Sequence, residues 1–411
     1  MRVSTPARVA APTSELGLLL ILSALMAFTS LSTDIYLPAM PQMARELQGN
    51  MELTITSFLI GFALAQLIWG PVSDRIGRRR PLVIGVLLFV IGSVGCALSQ
   101  TLGEIVLWRM FQAFGACTGP MLARAMVRDL YPRTKAAQTL STLTVIMAIA
   151  PIAGPLLGGQ IVRFGSWHGI FWLLAGIGVL MLLALRRMPE TLPVERRATS
   201  SALAAFADYR ALLGNAVFMR YTLCVTLFYV SAYAFITGSP HVYIEYFQVA
   251  PEHYGWLFGL NIIGLMAMSL INRKLVSRFS LDRLLRAAST VAAVAMLAGV
   301  VVAELRIGGL LGVALPVFVF FSMNGVIAAS ATAAALDGVP PGQAGSAAAL
   351  IGSLQYGSGI VSSLLLAALP KDSPRSLIMV MAVFAAGCAV MAWWQRGRAD
   401  VAPGELKPAG K

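Results

Sequence analysis

Apolar residues along this chain come in long runs separated by short polar segments. Twelve runs approach the roughly 20 residues needed to cross a hydrocarbon core about 30 Å thick. They lie at about 16–38, 51–70, 81–99, 104–127, 137–160, 168–186, 220–239, 253–272, 284–304, 309–334, 344–369 and 376–395. Most connections are short, which places successive helices antiparallel. The exception, residues 187–219, is polar, arginine-rich and central. The pattern predicts an all-α polytopic membrane protein of 12 transmembrane helices: a tail at 1–15, a six-helix bundle at 16–186, a cytoplasmic linker at 187–219, a second six-helix bundle at 220–395 and a tail at 396–411.

Composition narrows the class. The chain is 58% hydrophobic and 12% charged, with a mean hydropathy of +0.77, against about 25% charged residues in soluble domains. A soluble enzyme, a coiled coil, a disordered regulator and a collagen-like chain are excluded. In a soluble protein the net charge of +13 would point to nucleic acid. Here it follows topology. With both termini placed in the cytoplasm, 25 of the 31 Lys and Arg residues fall on the inner side, 5 on the outer side, and Arg109 within the fourth span. That asymmetry obeys the positive-inside rule and excludes a nucleic-acid partner. The first run continues into Asp34 and Pro38 without a clear cleavage site, so it reads as a span and not a signal peptide. The simple pattern predicts a bacterial cytoplasmic (inner) membrane and a monomer.

Cys96, Cys117, Cys224 and Cys388 lie inside apolar runs and form no CxxC pair, so they read as small apolar residues and not as a disulfide framework. His168, His241 and His253 sit in or beside connections. No metal-ligand, P-loop or nucleophile-elbow spacing is present, and neither a metal nor a cofactor is expected.

Between the second and third runs stands Gly70-Pro71-Val72-Ser73-Asp74-Arg75-Ile76-Gly77-Arg78-Arg79-Arg80-Pro81. Its glycines permit a tight turn. Asp74 can accept bonds from arginine, and the arginines can meet Asp129 at the inner end of the fourth span. Gly70, Asp74, Arg75, Gly77, Arg78 and Asp129 are thus the expected conformational latch. This segment closely resembles the signature loop of the major facilitator superfamily. A weaker copy, Ser277-Arg278-Phe279-Ser280-Leu281-Asp282-Arg283, falls at the equivalent place in the second half. The fifth run holds Ala150-Pro151-Ile152-Ala153-Gly154-Pro155-Leu156-Leu157-Gly158-Gly159, which resembles the motif of the drug:proton antiporters of that superfamily. Small residues allow close backbone packing in lipid, and Pro151 and Pro155 bend the helix. Pro151, Gly154, Pro155, Gly158 and Gly159 are expected to seal the outer face against proton leak. Ser32-Thr33-Asp34-Ile35-Tyr36-Leu37-Pro38, and Gly238-Ser239-Pro240-His241-Val242-Tyr243-Ile244-Glu245 with Tyr254-Gly255, are similar to the Bcr/CflA branch of the 12-span drug exporters. The resemblance implies the superfamily's two pseudo-symmetric bundles and proton-coupled export of small amphipathic drugs or antibiotics, phenicol- or bicyclomycin-like, by alternating access. A proton gradient serves as the energy source.

Ionisable groups inside spans are costly and usually functional. Asp34 near the outer end of the first span and Arg109 in the fourth fall at a similar depth. They are expected to interact and carry proton coupling. Met26 stands where some relatives have a second carboxylate. Ser30, Tyr36, Gln112, Tyr229, Tyr233, Asn261, Asn324, Gln355 and Tyr356 are the candidate substrate contacts. Alternatives are a proton-coupled exporter or symporter of an endogenous metabolite, of which the fifth-span motif disfavours the symporter, and an intramembrane enzyme or receptor. The chain lacks the paired nucleophile and base that such an enzyme needs.

Overall fold

The computed structural model describes residues 15–197, 202–337, 339–340, 343–370 and 373–394. The tails assigned to 1–15 and 396–411 lie outside the described residues, except Glu15. The first half holds α1 (Glu15–Asp34), α2 (Met40–Leu47), α3 (Glu52–Ile76), α4 (Arg79–Leu98), α5 (Leu102–Ala116), α6 (Thr118–Leu130), α7 (Arg133–Phe164) and α8 (His168–Leu185). After a linker helix, α9 (Ala202–Gly214), come α10 (Ala216–Pro240), α11 (Pro251–Leu275), α12 (Leu281–Glu304), α13 (Gly309–Asp337), α14 (Ala344–Ala368) and α15 (Arg375–Trp393). Among the described residues, 11 helical segments are long and apolar enough to cross a bilayer.

The remaining span is α5 followed by α6. Thr101 caps α5 by accepting the Glu104 N–H, while the Glu104 carboxylate accepts the Gln100 N–H, a reciprocal capping box. At Cys117 the backbone stays right-handed helical, and its N–H still reaches the Ala113 carbonyl. The break arises one turn later: Pro120 has no N–H to offer the Ala116 carbonyl. The Thr29 hydroxyl of α1 donates to that carbonyl at 3.1 Å instead. The interruption therefore fastens α1 to the fourth span.

In the first half, α1 packs on α6 and α7, α3 on α5, and α4 on α5 and α8. In the second, α10 packs on α13, α14 and α15, α12 on α13 and α15, and α11 on α13. The two groups meet along α3–α14 and α7–α11. These pairs join spans two and eleven, and five and eight. Shifting each span by six converts one pair into the other, as repeats require. Large apolar residues such as Leu180 (67% exposed), Leu311 (74%) and Leu315 (67%) face outward, whereas Arg109 is fully buried. That inverted distribution suits lipid as the surrounding solvent.

Several expectations are corrected. The first span stops at Asp34, not four residues later, because Pro38 cannot donate to the Asp34 carbonyl. A 3₁₀ turn (Leu37–Ala39) and α2 follow. The expected loop at Gly70–Pro81 is mostly helix: α3 runs to Ile76, and only Gly77 and Arg78 turn before α4. Gly70 lies inside α3, with open space where a Cβ would stand. The linker contains α9, which packs on α3, α10 and α14. A π-helical turn (His241–Tyr246) extends α10.

Candidate functional site

Arg109 is fully buried on α5 without a carboxylate partner among the described residues. Its Nη1 donates to the Ser32 carbonyl at 3.1 Å and to Gln112 Oε1 at 2.5 Å. Gln112 Nε2 donates in turn to the Ser93 hydroxyl at 2.7 Å, which donates to the Phe89 carbonyl. The guanidinium carbon lies 4.3 Å from the Tyr36 ring centroid and 4.4 Å from that of Phe58. Removing such a charge from water costs several kcal/mol. Two charge-assisted hydrogen bonds, worth about 1.5–3 kcal/mol each, and two aromatic faces, about 2 kcal/mol when desolvated, offset much of it. Nε makes no hydrogen bond.

Asp34 is 6% exposed, and no ion pair joins it to Arg109. Of the direct or water-mediated interaction expected between this acid and this base, no direct pair forms. Arg109 engages the carbonyl of Ser32 and the ring of Tyr36, and not the carboxylate of Asp34, which lies between them in the chain. Asp34 instead lies against α7. A methyl built on Gly154 would sit 3.5 Å from Asp34 Cβ.

The small residues of α7 make the seam beside Asp34. A Cβ at Gly158 would overlap the Ile35 carbonyl, and one at Gly159 would lie 2.5 Å from the Pro251 carbonyl. Gly255 of α11 returns the contact against the Leu156 backbone at 2.7 Å. Backbones this close exclude any side chain larger than hydrogen. Pro151 and Pro155 lie within α7 along the same stretch. Arg163 and Glu252 face each other across this end at 3.8 Å. On the other side, Thr56 and Ser363 share a 2.7 Å hydrogen bond, and Asn50 donates to the Ala367 carbonyl at 3.3 Å. The ends of both inter-half contacts on the Asp34 side are thus closed.

An aromatic row crosses from one half to the other. Phe58 of the Arg109 cage is followed by Phe62 at 6.2 Å, Tyr356 at 4.1 Å, Tyr233 at 6.2 Å and Tyr229 at 6.2 Å between successive ring centroids. Of the expected substrate contacts, Tyr229, Tyr233 and Tyr356 share this row. Tyr229 approaches Asn324, whose Oδ1 is buried without a hydrogen bond. Ser30 and Gln355 are half-buried. Tyr36 and Gln112 are fully buried and committed to Arg109, so they support the charge and do not form an open wall. Asn261 is 3% exposed and bonds back to the Leu257 carbonyl in its own helix. Phe62 was absent from the sequence reading because an aromatic in an apolar run carries no distinguishing signal.

At the arginine-rich end, Arg78 donates to Asp74 at 2.5 Å, Asp129 at 2.9 Å and the Ser73 hydroxyl at 2.9 Å. Burial works against the Arg78 charge, but its bond to Asp129 and the nearby Asp74 outweigh that and raise its pKa above the ordinary arginine value. Glu190, unmarked in the sequence reading, accepts the Arg78 N–H at 2.7 Å and the Arg79 N–H at 3.2 Å. Gly77 adopts φ +96°, and the Glu190 carboxylate fills the place of its missing Cβ, so both geometry and space demand glycine. Arg75 is exposed. These contacts fasten the first half to itself. At the same end α9 reaches across: Asp208 accepts from Gln343 at 3.2 Å and Ser346 at 3.3 Å, beside and on α14. In the second half, Asp282 accepts from Arg220 at 3.2 Å and Tyr221 at 2.9 Å.

Residues 22–363 match the family model described as Major Facilitator Superfamily. The chain is 34% identical over 355 residues to an uncharacterized MFS-type transporter, YdgK, of Bacillus subtilis, covering 85% of this chain and 88% of that one. It is 28% identical to the bicyclomycin resistance protein homolog of Haemophilus influenzae, with 85% and 88% covered. It is 29% identical to multidrug resistance protein D of Escherichia coli, with 92% and 95% covered. Among solved structures, a D-xylose-proton symporter shares the fold at a TM-score of 0.72 and 16% identity, over 92% of this chain and 96% of that one. With inter-repeat pairs α3–α14 and α7–α11, and a family model spanning most of its length, the chain belongs to the major facilitator superfamily and is a multi-pass secondary transporter of a small molecule, not an enzyme.

Proposed function

We propose that the chain is a proton-coupled antiporter that exports small amphipathic drugs or antibiotics from the bacterial cytoplasm by alternating access, with both termini cytoplasmic. The observation that carries this reading is the buried Asp34 carboxylate, without an ion pair, placed against the glycine seam where the two halves meet. Parting that seam would expose Asp34 to the outer side and its proton supply. Closing it returns the carboxyl to a site against α7. Cargo on the aromatic row and a proton on Asp34 then favour opposite arrangements, which is antiport. Arg109 supplies a fixed positive potential near the end of α1, held by its cage throughout the cycle. The seam closes the outer ends, as export requires in the loading state. Relatives named for bicyclomycin resistance and multidrug resistance support drugs as cargo.

The test uses purified protein in proteoliposomes with an imposed pH gradient and chloramphenicol or bicyclomycin as probe. Drug-dependent proton release is expected from wild type and is lost in Asp34→Asn with insertion unchanged. Proton release that persists in Asp34→Asn would place the carrier elsewhere. Drug movement in the same direction as the proton would overturn antiport.

A further inference from the structure

The weaker copy of the arginine-rich loop cannot form the latch of the first half. Ser277 stands where the first half has Asp74, and Leu281 where it has Arg78, so the contacts of Arg78 with Asp74 and Asp129 have no counterpart at these positions. The acid of the copy, Asp282, takes Arg220 and Tyr221 instead. Arg278 and Arg283 are exposed, and Arg283 lies over the exposed Phe279 ring at 5.9 Å. Arg283 and Arg286 stand three positions apart in the first turns of α12, which makes them neighbours on its surface. Arg286, Thr290 and Val294 follow at intervals of four, and Val294 is exposed together with Leu297, so this stripe faces lipid. The end of α15 lies beside it. Trp393 Nε1 donates to the Thr290 hydroxyl at 3.0 Å, and the Arg286 guanidinium carbon lies 5.6 Å from the indole ring centroid. Trp393 and Trp394 are nonetheless 58% and 55% exposed, and Val390, one turn earlier on α15, is exposed as well. Arg220 closes the wall behind them by donating to the Ala392 carbonyl at 3.3 Å.

Two arginines, an indole fixed by its own N–H and an exposed apolar groove therefore meet at the arginine-rich ends of α12 and α15. Arginine forks match phosphate oxygens, tryptophan settles at the level of lipid headgroups, and basic pockets between spans bind anionic headgroups. We propose that this groove is a binding site for an anionic phospholipid. Arg283 and Arg286 hold its phosphate, Trp393 flanks its glycerol backbone, and an acyl chain lies along Val294, Leu297 and Val390. A zwitterionic lipid brings its own ammonium, which competes with the arginines for the phosphate. Asp282, the acid of the loop, is already paired with Arg220. The site belongs to the second half alone and depends neither on the direction of transport nor on the coupling ion.

The test places the full-length protein in phosphatidylcholine nanodiscs that contain a small fraction of dibrominated phosphatidylglycerol or, in parallel, of phosphatidylcholine with the same brominated chains, and reads tryptophan quenching. Wild type is expected to show excess quenching by the phosphatidylglycerol, equivalent to about tenfold enrichment, the scale of two arginines near an anionic headgroup. Most of the excess is lost in Trp393→Phe/Trp394→Phe, which removes the reporters, and in Arg283→Gln/Arg286→Gln, which removes the phosphate ligands. Arg187→Gln/Arg210→Gln, which removes two exposed arginines elsewhere, retains it. Inorganic phosphate, compared with chloride at equal ionic strength, leaves it unchanged. The wild-type comparison and the tryptophan variant locate the lipid without requiring an arginine variant to fold. Equal quenching by the two lipids, an excess that survives either the tryptophan or the Arg283/Arg286 substitutions, an equal loss in the Arg187/Arg210 variant, or displacement by inorganic phosphate overturns the lipid site.

Discussion

The two halves share one frame but not one chemistry. Deep within its spans the first half holds Asp34 and Arg109, whereas α10 to α15 carry charges only near their ends and bring tyrosines to the aromatic row that crosses between the halves. Repeat symmetry therefore fixes where helices meet, at α3–α14 and α7–α11, without fixing what they carry. A transporter of this build keeps its charges in one half and lets the other act as a neutral wall that moves past them. Asp34 and Arg109 differ in the same spirit. Arg109 is held by carbonyls and rings of its own half, while Asp34 lies beside the glycine seam without an ion pair among the described residues, where the proposed function places the proton.

The strongest attempt to break the comparison is Arg109→Ala. It strands the Gln112 amide oxygen and the Ser32 carbonyl in a closed cage, and each unsatisfied buried acceptor costs about 1–3 kcal/mol. Transport per folded molecule is expected to fall by more than about 100-fold, with partial activity in Arg109→Lys. Asn261→Ala, a buried polar change in the second half, should stay within about threefold, because its bond returns to its own helix. Full transport by Arg109→Ala, measured in proteoliposomes, would remove the division of labour.

Gly158→Leu comes next, because it acts on the seam that joins the halves. The new side chain must displace the Ile35 carbonyl. Overpacking of this kind costs about 1–3 kcal/mol, roughly a 5- to 100-fold change in the ratio of closed to open seam. Accessibility of a cysteine introduced on the outer end of α11 should rise by that order, and proton leak with it. Unchanged accessibility would mean that the seam is not the outer gate.

Much of this was legible in the sequence because bilayer thickness fixes helix length and the cost of a charge in lipid makes Asp34 and Arg109 conspicuous. Their relative direction was not legible. It depends on where α1 stops, and one proline, Pro38, moves that point to Asp34 itself. Glu190 was hidden because its partners are the backbone N–H groups of Arg78 and Arg79, which no side-chain pattern displays. The helices α2 and α9 are shorter than a span, so a search for spans passes over them.

Asp74→Asn sharpens the comparison at the arginine-rich end. The amide still accepts from Arg78, but a charge is lost at a side chain 52% exposed, where an ion pair contributes about 0–1 kcal/mol. Cycling is expected to slow about two- to fivefold with drug affinity unchanged. Asp129→Asn, at 17% exposure, should slow it more. Equal losses of binding and transport in Asp74→Asn would show that the loop does not act as a latch.

The smallest effect is expected from the corresponding change in the second half. Asp282 accepts from Arg220 and Tyr221, and its side chain is 35% exposed. In Asp282→Asn both hydrogen bonds can persist, so the loss is at most about 1 kcal/mol, a melting shift of about 2 °C or less in a chain of this size. Because Arg220 belongs to α10 and the carboxylate to α12, the pair joins two helices of the same half and does not cross to the other. Transport should be unchanged within error. If Asp282→Asn instead slowed cycling as much as Asp74→Asn, with the melting temperature intact, both ends of the repeat would be working parts, and the second half could no longer be treated as a passive wall.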